Sequence, residues 1–451
     1  MISRLVLVAF TSICFWVAGA SAAIISKSGN NLCILTLDGE IVKGDLARFE
    51  ALAATEFKGF DGESTSKDTI CLNSPGGDLL EGVQLAELFY KRGVGTVIDR
   101  HSECYSICAI MFMMGIAQGP EVKFVNRRMH IAGKLGFHRP FLSLDSDELV
   151  STRALPIAHD MAIEAIVKIM ILANNPAPWS NATMIRPDLV QLMLKHVGAD
   201  LYYIDTVEKA GRFNIELFGY EPAKGLNETQ AYYACENSFH WQVGLVGKET
   251  DYAALSKAIS YQKLVSSRQD KEGNVIYEVI GEDSGYSSAS CLISLRRSEQ
   301  QEYILGCGYN EVYGVSVGQG RCSVDGFKDS AVYISKLATF KPTTLIANLG
   351  KSEAPEPLVG ERILATCVVI SPSRTVEQEP CSGLITDNVY IDSKRADRYE
   401  FTWPSGNKTT IARDGATYTI NGKPAYTYRH EKFDFCAMNA ETGNQFCFKR
   451  R

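Results

Sequence analysis

Three short segments of the sequence carry residues that together could perform acyl transfer. The first is Ser74-Pro75-Gly76-Gly77, the second centres on Ser106, and the third centres on His138. A serine hydroxyl is a weak nucleophile until a neighbouring base accepts its proton, and histidine is the commonest such base. Glycine lets the backbone approach closely, so a glycine turn can present N–H donors to an oxyanion. In chain order the segments therefore offer an oxyanion-binding turn, a nucleophile and a base.

Each segment also has an ordinary structural explanation when it is taken alone. Ser-Pro-Gly-Gly is typical of a strand-to-helix turn. A serine at the start of a helix, such as Ser106, is usually a cap. Taken alone, His138 would be an ordinary loop histidine. The order of the three segments, rather than any one of them, favours catalysis.

The segments fall at the ends of predicted strands, in a region where strands and helices alternate. Residues 69–73 read as a strand that ends at the glycine turn, and residues 78–91 have the apolar spacing of a helix packed on a sheet. This alternation predicts an α/β domain with parallel strands over about residues 24–220. Further strands are predicted at 33–37, 96–98, 122–125 and 129–131, and further helices at 106–114, 159–173 and 188–196.

The ordered segments resemble those of the Clp protease proteolytic subunit and of exported signal-peptide-peptidase-type serine peptidases, which share a ClpP/crotonase-like fold. The matching pieces are Leu72-Asn73-Ser74-Pro75-Gly76-Gly77, then Ser106 at the head of an apolar helix, then Phe137-His138-Arg139-Pro140. The resemblance covers roughly residues 30–215. It implies that Ser106 is the nucleophile and His138 the general base. It also implies an oxyanion hole made by the N–H groups of Gly77 and Ile107, with Gly76 permitting the turn.

The resemblance further implies a third catalytic residue after the histidine. Asp200, in Gly198-Ala199-Asp200-Leu201-Tyr202, is the best match, and Asp205 is the alternative if the register differs by a few residues. Its role would be to fix the tautomer of the base.

The sequence departs from the family pattern beside the serine, where small residues are usual. Here the serine is preceded by Tyr105 and followed by Ile107, and the tyrosine could narrow or block the pocket. A catalytically inactive binding protein of the cell envelope therefore stays open as an alternative.

Other readings of the same residues are weaker. Cys104 could be a nucleophile, and His130 could replace His138 as base. His101, Cys104 and Cys108 could ligate a metal, but three ligands on one segment without a second pair nearby are a weak zinc pattern. A crotonase-type acyl-CoA enzyme has no need of a serine–histidine pair. We therefore predict no metal and no cofactor.

The N-terminus and the cysteines predict an exported protein. Arg4 is followed by an apolar run over residues 5–18 and by Ala20-Ser21-Ala22, which predicts a cleaved signal peptide at residues 1–22 and a periplasmic or secreted location. Of 13 cysteines, one lies in this segment and the others form three groups of four. An oxidising compartment favours disulfides within each group, with three pairings open in each. The groups are Cys33, Cys71, Cys104 and Cys108; Cys235, Cys291, Cys307 and Cys322; and Cys367, Cys381, Cys436 and Cys447.

The remainder of the 451-residue chain predicts two smaller domains. Residues 229–340 read as an α+β domain, with strands at 275–280, 302–305 and 331–334 and a helix near 252–264. A linker is predicted at 341–361, and a small β-rich, disulfide-stapled domain at 362–451, where Asn421-Gly422 is a strong hairpin signal.

Composition and the predicted export limit which partners are expected. A net charge of −6 gives no reason to expect nucleic acid. No segment resembles a docking site for an ATPase ring, and exported proteins have no ATP supply. The sequence therefore predicts an exported, ATP-independent serine peptidase acting on peptides or proteins. Because relatives of this fold often form rings, a homo-oligomer is compatible with the sequence.

Overall fold

The computed structural model describes residues 22–140, 154–178, 180, 182–222, 225–245, 252, 262–282, 288–298, 301–311, 313–320, 322–349, 361–373, 376–391, 394–414 and 417–450. The chain forms two units, Met1–Tyr203 and Ile204–Arg451. The predicted signal peptide lies outside the described residues except for its last residue, Ala22.

Unit 1 alternates strands with helices, as the sequence predicts. Its strands are β1 (Ile24–Lys27), β2 (Leu35–Asp38), β3 (Thr69–Asn73), β4 (Gly95–Ile98), β5 (Glu103–Tyr105), β6 (Ile116–Gln118), β7 (Lys123–Val125), β8 (Arg127–His130), β9 (Lys134–Phe137) and β10 (Tyr202–Tyr203). Its helices are α1 (Asp45–Glu56), α2 (Leu79–Arg92), α3 (Ile107–Met113), α4 (Ala154–Ala173) and α5 (Pro187–Lys195).

A parallel sheet forms the centre of unit 1, which confirms the predicted mixed α/β class. Strands β2, β3, β4 and β8 lie side by side in parallel, and β1 pairs antiparallel with β2. Strand β4 and the first four residues of β3 are buried throughout, as interior strands covered on both faces must be. The helices α1 and α2 make the crossovers that parallel strands require.

Local sequence explains why α2 starts directly after the glycine turn. The Asp78 side chain caps the helix by accepting a hydrogen bond from the amide of Glu81, and Gly93 ends it in the left-handed conformation. Its apolar face, which includes Val83 and Phe89, is buried. The helix therefore fixes where the turn that precedes it can lie.

A second, three-stranded sheet in the order β10-β9-β5 joins the segments of interest. Strand β5 runs parallel to β9, with Tyr105 opposite Gly136. Strand β10 runs antiparallel to β9, with Tyr202 opposite Phe137. The first residue of the glycine turn, Ser74, forms a parallel bridge to Cys104 of β5.

Unit 2 is dominated by antiparallel strands. Its strands are β11 (Glu216–Phe218), β12 (Gln262–Gln269), β13 (Val275–Glu282), β14 (Ser288–Arg297), β15 (Glu302–Asn310), β16 (Val315–Val317), β17 (Val332–Ile334), β18 (Glu361–Ile370), β19 (Val376–Ile391), β20 (Lys394–Thr402), β21 (Lys408–Asp414), β22 (Thr417–Ile420), β23 (Lys423–His430), β24 (Phe433–Asn439) and β25 (Gln445–Arg450). Its helices are α6 (Val207–Arg212), α7 (Glu228–His240) and α8 (Phe327–Ser330), with 3₁₀ helices at Lys336–Thr339 and Ile346–Asn348.

The first part of unit 2 is an antiparallel sheet, β12 to β15, covered by helix α7. Ala231, Ala234 and Phe239 of the helix pack against buried residues of the sheet, including Ile293. The prediction of a helix near residues 252–264 is wrong at the C-terminal end of that range. Residues 262–264 begin strand β12 and pair with β13. Most of the other positions in that range lie outside the described residues.

The predicted linker begins as ordered structure. The amide of Glu208 donates to the carbonyl oxygen of Pro342 at 2.9 Å, and Ile346 is buried. Residues 350–360 of the predicted linker lie outside the described residues.

The last eight strands close into an antiparallel barrel. Each strand from β18 to β25 pairs with the next one in sequence, and β25 pairs back to β18. Aromatic side chains, Phe401, Phe446 and Phe448 among them, fill the interior. The Asn421-Gly422 prediction is confirmed: both residues have positive φ and connect β22 to β23. Sequence indicated strands here, but closure depends on long-range pairing that no local pattern encodes.

The cysteines form six disulfides, each within its predicted group. The pairs are Cys33–Cys71, Cys104–Cys108, Cys235–Cys291, Cys307–Cys322, Cys367–Cys381 and Cys436–Cys447. This number of disulfides is consistent with an extracellular or periplasmic location. Among the helices of the described residues, none has both the length and the apolar character needed to cross a bilayer.

Candidate active site

Ser106 occupies a one-residue turn between a strand and a helix. Strand β5 ends at Tyr105, helix α3 begins at Ile107, and Ser106 between them has φ 57° and ψ −127°. A residue other than glycine in such a conformation costs about 1–3 kcal/mol and is retained mainly at functional sites. The Ser106 hydroxyl makes no capping hydrogen bond to the helix. The simple explanation of this serine as a helix cap therefore does not hold.

A disulfide spans the strained turn. Cys104 and Cys108, at two residues before and two residues after Ser106, bond to each other, and both are fully buried. Helix α3 is buried along its whole length, and Gly82 of α2 lies so close to Ile107 that a side chain there would clash. Because both sides of the turn are held, the backbone at Ser106 has little freedom to relax.

The glycine turn lies directly against Ser106. The amide of Ser74 donates to the Glu103 carbonyl oxygen at 2.7 Å, and the amide of Tyr105 donates to the Ser74 carbonyl oxygen at 3.0 Å. Gly76 has φ 106°, and a Cβ atom added there would come within 2.7 Å of the Ser106 Cβ. Only glycine fits at this position without displacing the serine.

The glycine turn and the start of helix α3 each contain a backbone amide that is available as a donor. The Gly76 amide is not one of them, because it donates to the Ser74 hydroxyl oxygen at 3.1 Å. The neighbouring Gly77 has φ 137°, and its amide has no acceptor among the residues that the structure describes. The amide of Ile107, the first residue of α3, likewise has no acceptor in this part of the chain. The two amides that remain are those the resemblance assigns to an oxyanion hole.

His138 follows the strand next to the serine. The Ser106 amide donates to the Gly136 carbonyl oxygen at 3.2 Å, so both residues stand at the carboxyl ends of adjacent parallel strands. Neighbouring strands lie about 4.8 Å apart. The register of β5 and β9 therefore brings Ser106 and His138 to the same end of the small sheet.

The His138 ring is oriented by its own backbone neighbour. Its Nδ1 atom lies 3.0 Å from the carbonyl oxygen of Arg139. A carbonyl oxygen only accepts hydrogen bonds, so Nδ1 carries the hydrogen and Nε2 carries the lone pair. Burial lowers the pKa of His138, and the Arg139 carbonyl partly opposes this shift. The ring is thus neutral at pH 7, as a general base must be.

The two predicted aspartates have partners of their own. Asp200 lies just before β10, and its carboxylate is 2.9 Å from Nδ1 of His196. Asp205, in unit 2, accepts a hydrogen bond from the Lys209 ammonium at 2.7 Å. Nδ1 of His138 contacts the Arg139 carbonyl oxygen, and the contacts described for the two aspartates are to His196 and Lys209. No side-chain pattern in the sequence signals the contact of His138 with the Arg139 carbonyl.

Tyr105 packs across the small sheet. Its ring meets the ring of Tyr203 edge to face at 6.0 Å, and both rings lie over Gly136, where a Cβ atom would be 3.1 Å from Tyr105. Burial, with the nearby charge of Glu103, raises the pKa of Tyr105 above its usual range, so the phenol stays protonated. The sequence indicated Tyr105 as a residue near the pocket but gave no sign of Tyr203 as its partner.

The weaker readings of the sequence find little support in the geometry. His130 is buried, and its Nδ1 accepts a hydrogen bond from the amide of Ala132 at 2.9 Å, so the ring stabilises its own turn. Cys104 and Cys108 are joined to each other, which removes them as thiol nucleophiles or metal ligands. Within the described ranges, no group of three His, Cys, Asp or Glu side chains could hold a metal ion.

Comparison with known proteins adds no functional assignment to this geometry. No protein-family model matches the sequence, and no curated protein matches it significantly.

Proposed function

We propose that unit 1 is a serine hydrolase with a ClpP/crotonase-like fold that cleaves peptide bonds outside the cytoplasm without ATP. The observation that carries the proposal is the strained strand-to-helix turn at Ser106, whose hydroxyl makes no capping bond. Hydrolases use such a turn to expose a nucleophilic oxygen beside the end of a helix. The sequence resemblance supports peptides as the substrate class, and the predicted signal peptide supports export.

The chemistry follows from the roles of four groups. Nε2 of His138 takes the proton as the Ser106 oxygen attacks the substrate carbonyl carbon. The resulting oxyanion accepts hydrogen bonds from the amides of Gly77 and Ile107. His138 then gives the proton to the leaving nitrogen, the C–N bond breaks, and an acyl-serine remains. A water activated by the same histidine attacks the ester, which releases the acid and restores the serine.

A fluorophosphonate probe tests the proposal on the intact mature protein. It phosphonylates activated serines by the same attack, so we expect one label per chain at the peptide that contains Ser106. Peptide mapping by mass spectrometry gives the position. Absence of labelling would favour the inactive binding protein, and a label on another serine would move the active site elsewhere.

Removing the Cys104–Cys108 disulfide should slow labelling strongly while lowering the stability of the fold only modestly. The double variant Cys104→Ala with Cys108→Ala removes the covalent constraint on the strained turn at Ser106. Displacing the Ser106 oxygen by nearly 1 Å would lower the rate by up to about 100-fold. We therefore expect labelling to slow by about 10- to 100-fold. Because the bond closes a short loop, its loss should lower stability by only about 2 kcal/mol.

The matched control is the other disulfide of unit 1. The Cys33–Cys71 disulfide closes a longer loop, so removing it with Cys33→Ala and Cys71→Ala should lower stability by about 4 kcal/mol. The labelling rate of the folded protein should nevertheless stay nearly unchanged. Urea unfolding and labelling rates measured on both double variants separate the two effects. Equal slowing in both variants would contradict a specific role for the Cys104–Cys108 bond.

A further inference from the structure

Helix α4 of unit 1 presents an exposed apolar face. Its buried side, which includes Ala165, Ile169 and Leu172, is at most 4% exposed at these residues, and the helix packs against α2 and α5. The remainder of the helix surface carries six large apolar side chains that are each 48–64% exposed: Ile157, Met161, Ile163, Val167, Met170 and Ile171. Exposed apolar patches of this kind mark surfaces that contact other molecules.

The area of this face is large enough for an interface. Six side chains of this size, each about half exposed, leave roughly 500 Å² of apolar surface, which is in the upper part of the range for the largest patch of a typical monomer. Two such faces in contact would remove about 1,000 Å² from water, which is the area that a specific interface needs at minimum. A pair of α4 helices therefore provides enough area for specific association.

The charges on α4 argue against a membrane surface as the partner. Helices that lie on a bilayer carry several lysine or arginine residues, which anionic lipids attract. Helix α4 has one lysine, Lys168, and two acidic residues, Asp160 and Glu164, and all three side chains are at least 40% exposed. Because the face has no excess of positive charge, a protein surface is the better partner.

The exposed face is symmetric about Val167. Ile163 and Ile171 lie four residues before and after it, and Asp160 and Asn174 lie seven residues before and after it. With 3.6 residues per turn, all four positions fall within about 40° of Val167 around the helix. All are exposed, and Asn174, which follows α4 directly, still makes the helical backbone hydrogen bond. The face thus has an apolar centre and a polar side chain at each end.

This symmetry is what contact with a second copy of the same chain requires. A two-fold interface joins the same patch of both copies, so the patch must be complementary to itself. In an antiparallel pair of α4 helices with the two Val167 side chains facing each other, Ile163 of each copy meets Ile171 of the other. Asp160 then faces Asn174, whose amide donates to the carboxylate. A parallel pair would set the two Asp160 carboxylates against each other, which is unfavourable.

An ion pair beside the apolar centre fits the same arrangement. Glu164 and Lys168 lie on one flank of the face, and their side chains pair within the chain at 2.8 Å. In the antiparallel pair this flank meets the same flank of the other copy. Each Glu164 then comes near the Lys168 of the other copy, with an offset of about 3 Å along the axis. Four alternating charges would border the interface, where charges set orientation more than affinity.

We propose that the protein forms a two-fold dimer through an antiparallel pair of α4 helices, with Val167 at the axis. Ile163, Val167 and Ile171 form the apolar centre of the interface, and Glu164 and Lys168 form its rim. The interface involves no residue of the candidate active site, so the dimer does not depend on whether Ser106 is catalytic.

The test is the oligomeric state of the full mature protein, measured by analytical ultracentrifugation at about 1–100 µM. We expect a monomer–dimer equilibrium whose dissociation constant rises at least about 100-fold in Val167→Glu, because two carboxylates would meet at the axis. Val167 is half exposed in the single chain and glutamate favours helix, so the variant should fold like the wild type.

Leu364→Glu is the matched control for this substitution. Its side chain is 70% exposed on the barrel, so the same kind of change there should leave the dimer unchanged. A monomer throughout the concentration range, or a dimer that survives Val167→Glu, would overturn the proposal.

Cross-linking separates the antiparallel pair from a parallel one. The cysteines of the mature chain are paired in six disulfides, so a thiol introduced on α4 reacts selectively with a short bismaleimide. We expect Val167→Cys to cross-link to itself, and Ile163→Cys to cross-link to Ile171→Cys when the two variants are mixed. Ile163→Cys should not cross-link to itself, because its two copies lie about 12 Å apart along the axis. Efficient self-linking of Ile163→Cys, or none of Val167→Cys, would contradict the antiparallel arrangement.

Discussion

Ser106→Ala should abolish fluorophosphonate labelling and lower peptide turnover by about 10⁴-fold or more. The substitution removes the oxygen that forms the covalent bond, so no acyl-enzyme can arise. Folding should be nearly unaffected, because the hydroxyl makes no capping bond to α3. Labelling and turnover measured on the pure mature protein give the result, and circular dichroism reports whether the fold is kept.

Ser102→Ala is the matched control for this substitution. Ser102 lies four residues earlier, just before β5, and only its backbone makes hydrogen bonds in that turn, to Asp99 and Lys134. We expect it to label at the wild-type rate. Labelling that persists in Ser106→Ala would show that another residue is the nucleophile.

His138→Ala should slow labelling by about 10³-fold while leaving Ser106 in place. General-base catalysis contributes about 10²–10⁴-fold, and the oxyanion donors of Gly77 and Ile107 remain in the variant. Asp200→Ala is the informative comparison. Because the Asp200 carboxylate contacts His196, we expect its loss to change the rate by less than about tenfold. A loss as large as that of His138→Ala would support Asp200 as the third catalytic residue.

The pH dependence of labelling gives a second readout of His138. The base must be neutral to accept a proton, so the rate should rise with pH through the histidine's pKa and then level off. Burial lowers this pKa, so the midpoint should lie below about 6.5, the usual value of a histidine. The wild type should therefore remain active in mildly acidic buffer. A midpoint above that value would contradict burial as the main influence on the pKa of His138.

Much of unit 1 could be predicted from local sequence. Strand β3 matches the predicted residues 69–73, and helix α2 begins one residue after the predicted start because Asp78 serves as the cap. The signals for these elements are local. They are a continuous apolar run for a strand buried on both faces, the 3.6-residue period of a helix, and glycine or proline at the turns. The order of the glycine turn, Ser106 and His138 is likewise visible in the sequence.

Unit 2 was less predictable because its structure depends on distant pairings. The Asn421-Gly422 turn is local and was predicted, whereas the pairing of β25 with β18 joins segments about 80 residues apart. The sequence predicts helix up to residue 264, over the start of β12, because a short run with apolar residues has no decisive period. Its pairing with β13 decides the strand.

The residue types at the candidate site, their order along the chain and the grouping of the cysteines by region can all be read from the sequence alone. The positive φ of Ser106, the pairing of Cys104 with Cys108 and the contact of His138 with the Arg139 carbonyl appear only in the folded structure. The physical reason is that composition and spacing are properties of the chain. Backbone strain, disulfide partners and hydrogen-bond acceptors depend instead on which segments pack together after folding.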